Sequence, residues 1–364
     1  MALFRAGCAA RSGEPPEDKR AATTQPQPAD DWTRLPPASF AIPPYAKHLA
    51  GVRFALDPGH GGRAHEPNYK RGPTGLREAE VNLAVARRLR EFLEGVGAQV
   101  TLTRDSDVWL AKDNSEDLRL RAAIANRERS DLFLSIHHNG AARPDANYTT
   151  VFYHGTPEDS PASLCAARYL LDGLRDALRL ESELDCALLS DYAVHPPKRA
   201  QKERAGFAVL RLAQVPAVLT EASFHSNPKE ERRLRDPLYN RREAYGLFLG
   251  LARWAQAGLP RVTLLEPADG RLEGGRTVVL RLHDGLSERG GWGSDLPKIF
   301  ESSIVAWLDR VAVRFDFDPR TRELRFTPTR EQAAKAGFLY VDFANIFGQR
   351  VLHPWIPVHR AGAE

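Results

Sequence analysis

The residues of this chain that can do chemistry gather where short apolar runs end. Val52 to Leu56 reads as a buried strand that breaks at once into Asp57-Pro58-Gly59-His60-Gly61-Gly62. An imidazole on a bare loop at a strand's C-terminal end stands where open α/β sheets bind ligands. The alternative is a loop histidine bonded to its own turn. The design recurs in Asp131-Leu-Phe-Leu-Ser-Ile-His137-His138-Asn139-Gly140, and two such strand ends in one pattern are hard to explain by packing. Side-chain alternation sends His137 and His138 to opposite sides, so at most one of them joins His60. Ala217-Val-Leu-Thr-Glu221 ends in a carboxylate, either a general base or a charge at a strand exit. Glu78 falls in the first turn of a helix, where an acidic residue ordinarily gains ~0.3–1 kcal/mol from the helix dipole.

Together one helix and three strands supply His60, Glu78, His137 and Glu221. Two imidazoles and a carboxylate are the ligand set of a hydrolytic zinc site, which keeps a fourth position for water. Zinc lowers the pKa of such a water to about 7, and a further carboxylate can take the proton and pass it to a leaving amine. There is no H-E-x-x-H helix, so the metalloproteases with that motif are not matched. The cysteines are Cys8, Cys165 and Cys186, without a C-x-x-C, which excludes a thiolate metal site. Cys165 and Cys186 either pair in an oxidising compartment or stand as separate buried thiols.

The positioning elements follow from periodicity. Val81, Val85, Leu89, Phe92 and Leu93 recur at helical spacing, closed by Gly95 and Gly97. Gln99 to Thr103 reads as a second strand. A helix around Leu118 to Arg129 puts Leu120, Ile124 and Ala125 on its apolar side. Val151 to Tyr153 is a strand, Ala162 to Leu180 an amphipathic helix, and residues 181–205 a charged loop, either facing substrate or plain surface. Phe207 to Leu210 and Ala217 to Glu221 read as strands, with helices at Asn227 to Leu234 and Leu238 to Gln256. The alternation predicts an α/β unit with a single, twisted, mostly parallel sheet flanked by helices.

Composition sets outer limits. Apolar residues at 42% and charged residues at 27% are ordinary for a globular chain, and 364 residues suffice for two domains of ~100–200 each. No run approaches the ~18 apolar residues of a membrane span. The net charge of +4 is spread along the chain without an aromatic-interleaved basic stripe, which argues against nucleic acid as a partner.

Six pieces in fixed order carry a family resemblance: Asp-Pro-Gly-His-Gly-Gly, Glu78-x-x-x-Asn-Leu, Leu-Thr-Arg-Asp, Arg121-x-x-x-Ala-Asn, Ser-Ile-His-x-Asn and Val-Leu-Thr-Glu-Ala-Ser-Phe-x-Ser-Asn. From about Val52 to Trp254 the chain resembles the zinc-dependent N-acetylmuramoyl-L-alanine amidases of the bacterial cell wall. The resemblance implies one zinc ion, with His60, Glu78 and His137 as its ligands and Glu221 as catalytic base. It selects Glu78 over Glu80. It also implies cleavage of the amide between the lactyl group of muramic acid and L-alanine in peptidoglycan, in the periplasm or outside the cell, with or without a protein activator. The alternatives are a zinc peptidase acting on peptidoglycan stem peptides and a non-catalytic peptidoglycan-binding or regulatory protein on the same fold. The chain departs from the family in a basic loop from Arg63 to Gly75, in lacking Gly-x-Glu before Val151, and in His225 at a position that is usually apolar. These departures leave the metal set intact and bear on substrate preference.

The ends read differently. Residues 1–45, rich in Ala, Pro, Gln and Thr, are expected to form a disordered tether. Ala6-Gly7-Cys8 resembles the end of a lipoprotein signal whose cysteine would carry a lipid anchor. Arg5 interrupts that motif and no apolar stretch precedes it, so this is either a truncated signal with a misplaced start or a chance resemblance. The catalytic unit is expected over 50–257. After Gly258-Leu-Pro260, which reads as a hinge, short alternating runs predict a small all-β sandwich over 261–360 that resembles bacterial immunoglobulin-like modules. Its Trp292, Trp307 and Trp355 are expected in core or hinge packing, with a glycan-lining surface as the alternative.

Overall fold

The computed structural model of the protein describes residues 39–66, 69–180, 185–199, 202–290, 293 and 296–360. Cys8, most of the expected tether and Trp292 lie outside the described residues. The last part of the expected tether is attached to the folded body: Tyr245 Oη donates to the Ala41 carbonyl at 2.5 Å, and Phe40 meets the Tyr245 ring edge-on at 5.4 Å.

The first part of the body alternates strand and helix: β1 (Arg53–Pro58), α1 (Glu78–Glu94), β2 (Gln99–Leu102), α2 (Asn114–Arg127), β3 (Leu132–Asn139), β4 (Thr150–Tyr153), α3 (Pro161–Leu178), β5 (Ala187–Ser190), α4 (Ala208–Arg211), β6 (Ala217–Phe224), α5 (Pro228–Leu234) and α6 (Pro237–Gln256). The six strands form one sheet in the order β2-β1-β3-β6-β4-β5. Every neighbouring pair is parallel except β4 with β6. The C-terminal ends of β1, β3 and β6 therefore share one edge, the edge that carries the motif residues. Helices α1, α3 and α6 pack together on one face, where Phe54 of β1 meets Trp254 of α6 at 6.3 Å. Helices α2 and α4 cover the other, burying Ala125, Val209 and Leu210 against Phe133 and Leu219. Each fully buried Leu or Phe contributes ~1.5–3 kcal/mol.

Three local expectations differ from the structure. Phe207 to Leu210, expected as a strand, leads instead into the short helix α4. Four apolar residues fit either state by periodicity. Here β6 already pairs with β3 and β4, so the segment covers the sheet from beneath. The expected loop 181–205 contains the edge strand β5, whose Leu189 is exposed. Since Thr150 lies beside both Glu221 and Ala187, β5 begins at the motif edge, and residues 191–206 follow from its opposite end. In α2 the inward residues are Asp117, Arg121, Ala122 and Ala125, a charged stripe in place of the expected Leu120 and Ile124. Asp113 caps this helix by accepting the Glu116 N–H at 2.9 Å. Cys165 and Cys186 are both free: Cys165 donates its thiol to the Gly348 carbonyl, and Cys186 sulfur accepts the Thr149 N–H.

The remainder is built on strands: β7 (Arg261–Glu266), β8 (Arg271–Leu272), β9 (Val278–His283), β10 (Val305–Leu308), β11 (Val311–Ala312), β12 (Asp316–Asp318), β13 (Glu323–Phe326), β14 (Phe338–Asp342), β15 (Trp355–Pro357) and β16 (His359–Arg360). Two antiparallel four-stranded sheets, β11-β10-β14-β15 and β12-β13-β9-β7, enclose Leu280, Leu282, Leu324, Phe326, Ala306, Leu308, Leu339 and Val341. Trp307 and Trp355 are not core residues. They are 40% and 53% exposed and flank Tyr340 across neighbouring strands, with ring centroids 5.0 and 4.7 Å away, cross-strand pairs that stabilise a sheet face.

Gly258-Leu-Pro260 is not a free hinge. Gly258 is buried, and Asn345 Nδ2 donates to the Ala257 and Asp284 carbonyls at 2.8 and 3.0 Å. At the edge of the sheet opposite the motif residues, buried Asp131 gathers Arg53 at 3.4 Å, Arg261 at 3.0 Å and His353 at 3.3 Å. Burial pushes the Asp131 carboxyl up, but His353, Arg261 and the Arg53 N–H hold it far below the usual carboxylate range. A depressed folded value means this stability is fully present above pH ~4 and is lost only as the pH falls through it. Asp131→Asn is therefore expected to cost about 1.5–3 kcal/mol at neutral pH. The deficit should shrink in urea titrations carried below pH ~4.

Candidate active site

Each motif residue reaches the shared edge by a different route. Strand β1 ends at Pro58, and His60 adopts a positive φ of 59°, unusual for a residue with a side chain. Two buried arginines hold this turn. Arg121 Nη2 donates to the His60 carbonyl at 2.7 Å, while its Nη1 reaches Asp57 Oδ1 at 2.8 Å and the Pro58 carbonyl at 3.0 Å. Arg104 donates from Nε to the Pro58 carbonyl at 2.7 Å and from Nη2 to the Gly59 and Ala79 carbonyls at 2.9 and 2.8 Å. Gly59 permits the next contact: a Cβ there would stand 2.1 Å from His137 Cε1.

Glu78 opens α1 and is 1% exposed. Its N–H donates to the Lys70 carbonyl at 3.0 Å. The loop before it is pinned from α5, where fully buried Glu231 accepts the N–H groups of Thr74 and Leu76 at 2.8 and 3.0 Å. His60 Nε2 lies 3.1 Å and His137 Nδ1 3.0 Å from the same oxygen, Glu78 Oε1, with the two imidazoles edge to face at 4.8 Å. That oxygen also accepts from the His138 N–H at 3.2 Å and Asn82 Nδ2 at 3.3 Å. Burial pushes the Glu78 carboxyl up, and the two imidazoles override it, holding it well below the ordinary range.

The two adjacent histidines part as alternation requires. His137 joins His60. His138 turns into the helical layer, where Nδ1 meets Asn82 Oδ1 at 2.8 Å and Nε2 meets Glu243 Oε2 at 2.9 Å. Glu221 sits on β6 between His137 of β3 and Thr150 of β4. Its Oε2 is buried with no hydrogen-bond partner among the described residues. Burial, then the charge of Glu78, pushes this carboxyl well above the ordinary range, against a smaller opposing effect of Lys70. His225 lies behind this edge, with Nδ1 donating to the His138 carbonyl at 3.0 Å.

One ligand atom from each of His60, Glu78 and His137 lies within 4.8 Å of the others, a group able to hold a metal ion. The donor set fits zinc: two nitrogens and a carboxylate oxygen, convergent and partly buried. The profile of the N-acetylmuramoyl-L-alanine amidase family matches residues 54–253, more than half of the chain. The chain belongs to this family. It is 30% identical over 219 residues to the germination-specific N-acetylmuramoyl-L-alanine amidase of Bacillus subtilis, covering 58% of this chain and 83% of that protein. With the amidase AmiA of Escherichia coli K12 it shares 30% over 240 residues, 57% of this chain and 78% of that one. With AmiC of Escherichia coli O6:H1 it shares 29% over 251 residues, and the chain spans only 58% of AmiC's length. Among solved structures, AmiC2 of Nostoc punctiforme aligns over 57% of this chain and 99% of its own at 25% identity, with a TM-score of 0.46.

Within this amidase unit, Arg104, Arg121 and Glu231 support the site, and none was assigned a role from the sequence. The signal was present for the two arginines, which stand in the Leu-Thr-Arg-Asp and Arg121-x-x-x-Ala-Asn pieces of the family pattern. Glu231 gave none: in the charged run Lys229-Glu-Glu-Arg-Arg233 nothing marks either glutamate as buried, yet Glu230 and Glu231 both are.

Proposed function

We propose that the protein hydrolyses the amide between the lactyl group of N-acetylmuramic acid and L-alanine in peptidoglycan, holding one zinc ion through His60, Glu78 and His137, with Glu221 as general base. One observation supports this most: two imidazoles converge on a single Glu78 oxygen at 3.0 and 3.1 Å, and Glu221, paired with His137 across the sheet, has a buried Oε2 with no hydrogen-bond partner among the described residues. When bound there, zinc supplies a Lewis acid for the carbonyl and lowers the pKa of water from ~15.7 to about 7.

The chain's own residues do the rest. Asn82 and the His138 N–H orient Glu78, and Arg121 and Arg104 fix the turn that presents His60. Glu221, whose proton affinity is raised, removes a proton from the attacking water. It then delivers that proton to the alanine nitrogen as the C–N bond breaks, which spares the amine from leaving as an anion. This substrate places the work in the cell envelope. On this reading residues 50–257 are the catalytic unit, and 261–360 a spacer or wall-binding unit.

Labelling of new amino termini in digested peptidoglycan tests the bond assignment. Alanine as the newly exposed terminus supports it. New termini belonging to other stem residues would make the protein a peptidase.

A further inference from the structure

We propose that Tyr69 is a positioning residue for the His60 metal ligand, itself held by Arg63 and Trp109. This rests on the zinc reading above. His60 presents Nε2 to Glu78 Oε1 at 3.1 Å and Nδ1 to the Tyr69 hydroxyl at 3.2 Å. A neutral imidazole that offers its Nε2 lone pair to a metal carries its proton on Nδ1, and the partner of that proton fixes both tautomer and ring orientation. Here the partner is the Tyr69 oxygen, accepting Nδ1–H, with the two rings edge to face at 5.8 Å.

The tyrosine is braced. The Arg63 guanidinium carbon lies 4.4 Å from the centre of the Tyr69 ring and 4.7 Å from that of Trp109. Trp109 is tied to the His60 turn: a Cβ on Gly62 would stand 2.7 Å from Trp109 N, and Gly62 N donates to Asp107 Oδ1 at 2.9 Å. Asp107 in turn is gripped by Arg77, the residue before Glu78. The brace thus runs from the start of α1 through Trp109 and Arg63 to the outer nitrogen of one ligand. Arg63 and Tyr69 both belong to the basic loop from Arg63 to Gly75, which thereby supports the ligand that precedes it.

The test is zinc affinity, read by competition with a chromophoric chelator, beside the melting temperature of the metal-free protein. Tyr69→Phe, which removes one oxygen, is expected to raise the zinc Kd by ~10- to 100-fold with the metal-free melting temperature unchanged. Arg63→Ala should shift the Kd in the same direction, and Arg63→Lys, which keeps a cation against the rings, should recover most of the loss. A Tyr69→Phe Kd within about twofold of wild type overturns the proposal while leaving the zinc reading intact. Wild-type protein that binds no zinc overturns the zinc reading itself, and this proposal with it.

Discussion

Glu221→Gln is expected to keep a bound zinc ion and to lose about 10²–10⁴-fold in kcat, the usual contribution of a positioned general acid–base. The amide preserves the size of the side chain and its place on β6 between His137 and Thr150. It cannot accept a proton from water at any pH of interest, nor return one to a departing amine. The substitution also removes a carboxylate that burial and Glu78 together disfavour in its charged form. The folded protein should consequently be no less stable than wild type. The pH profile gives a second signature. With Glu221 as the base, wild-type activity is expected to fall with decreasing pH as this carboxylate protonates, and its raised pKa puts that loss above the ordinary carboxylate range of about 4. The residual activity of the glutamine variant should lack this acid limb. Zinc content, kcat and the pH profile measured together separate the outcomes: an unchanged kcat with normal zinc would remove Glu221 from the chemistry.

Arg121→Met is expected to destabilise the metal-free protein by about 3–5 kcal/mol, the cost of breaking a buried ion pair from one side. Arg121 is buried against Asp57 at 2.8 Å and Asp117 at 2.7 Å, both carboxylates also buried. Methionine fills much of the space but withdraws the guanidinium from two buried carboxylates and its bond from the His60 carbonyl, while the Pro58 carbonyl keeps Arg104 Nε as a donor. Burial pushes Asp57 up, and Arg121 first, then Thr103 and Ser135, bring it below its ordinary value. Losing Arg121 should reverse that and favour a protonated Asp57. Lysine is not expected to rescue, because one ammonium cannot reproduce the guanidinium fork. The check is a urea titration: the midpoint falls with an unchanged slope. A loss under about 1 kcal/mol would mean that the network relaxes around the gap.

How far the sequence disclosed this arrangement depended on whether a feature was local. The strand-to-glycine breaks after Pro58 and Asn139 were visible because a strand end is written in a few consecutive residues. The expectation that Glu221 ends its strand does not hold: β6 runs on to Phe224, so this carboxylate lies within the strand. Parity alone limited the adjacent histidines to one candidate, and the structure selects His137 while His138 pairs with Glu243, 105 positions away. Partners that distant leave no local trace. The same holds for α2, whose buried stripe joins Asp117 and Arg121 to Ala122 and Ala125: a pattern read for apolar residues finds Ala125 but misses the charged members when the core side is an ion-pair network. Strand β5 and helix α4 were missed for a different reason. Each is four residues long, and what decides their state is which sheet edge remains open, a property of topology. The tryptophans Trp307 and Trp355 show the limit of composition, since large aromatics that suggest a core instead pair on an outer sheet face.

The most direct measurement is mass spectrometry of the products released from purified peptidoglycan by zinc-loaded protein, with chelated protein and Glu221→Gln alongside. Free stem peptides beginning with L-alanine and glycan strands with unsubstituted lactyl groups are expected from the zinc-loaded wild type, at most about a hundredth as fast from Glu221→Gln and not at all from the chelated protein. Cleavage inside the stem peptides, or equal release by the chelated protein, would contradict the proposed function.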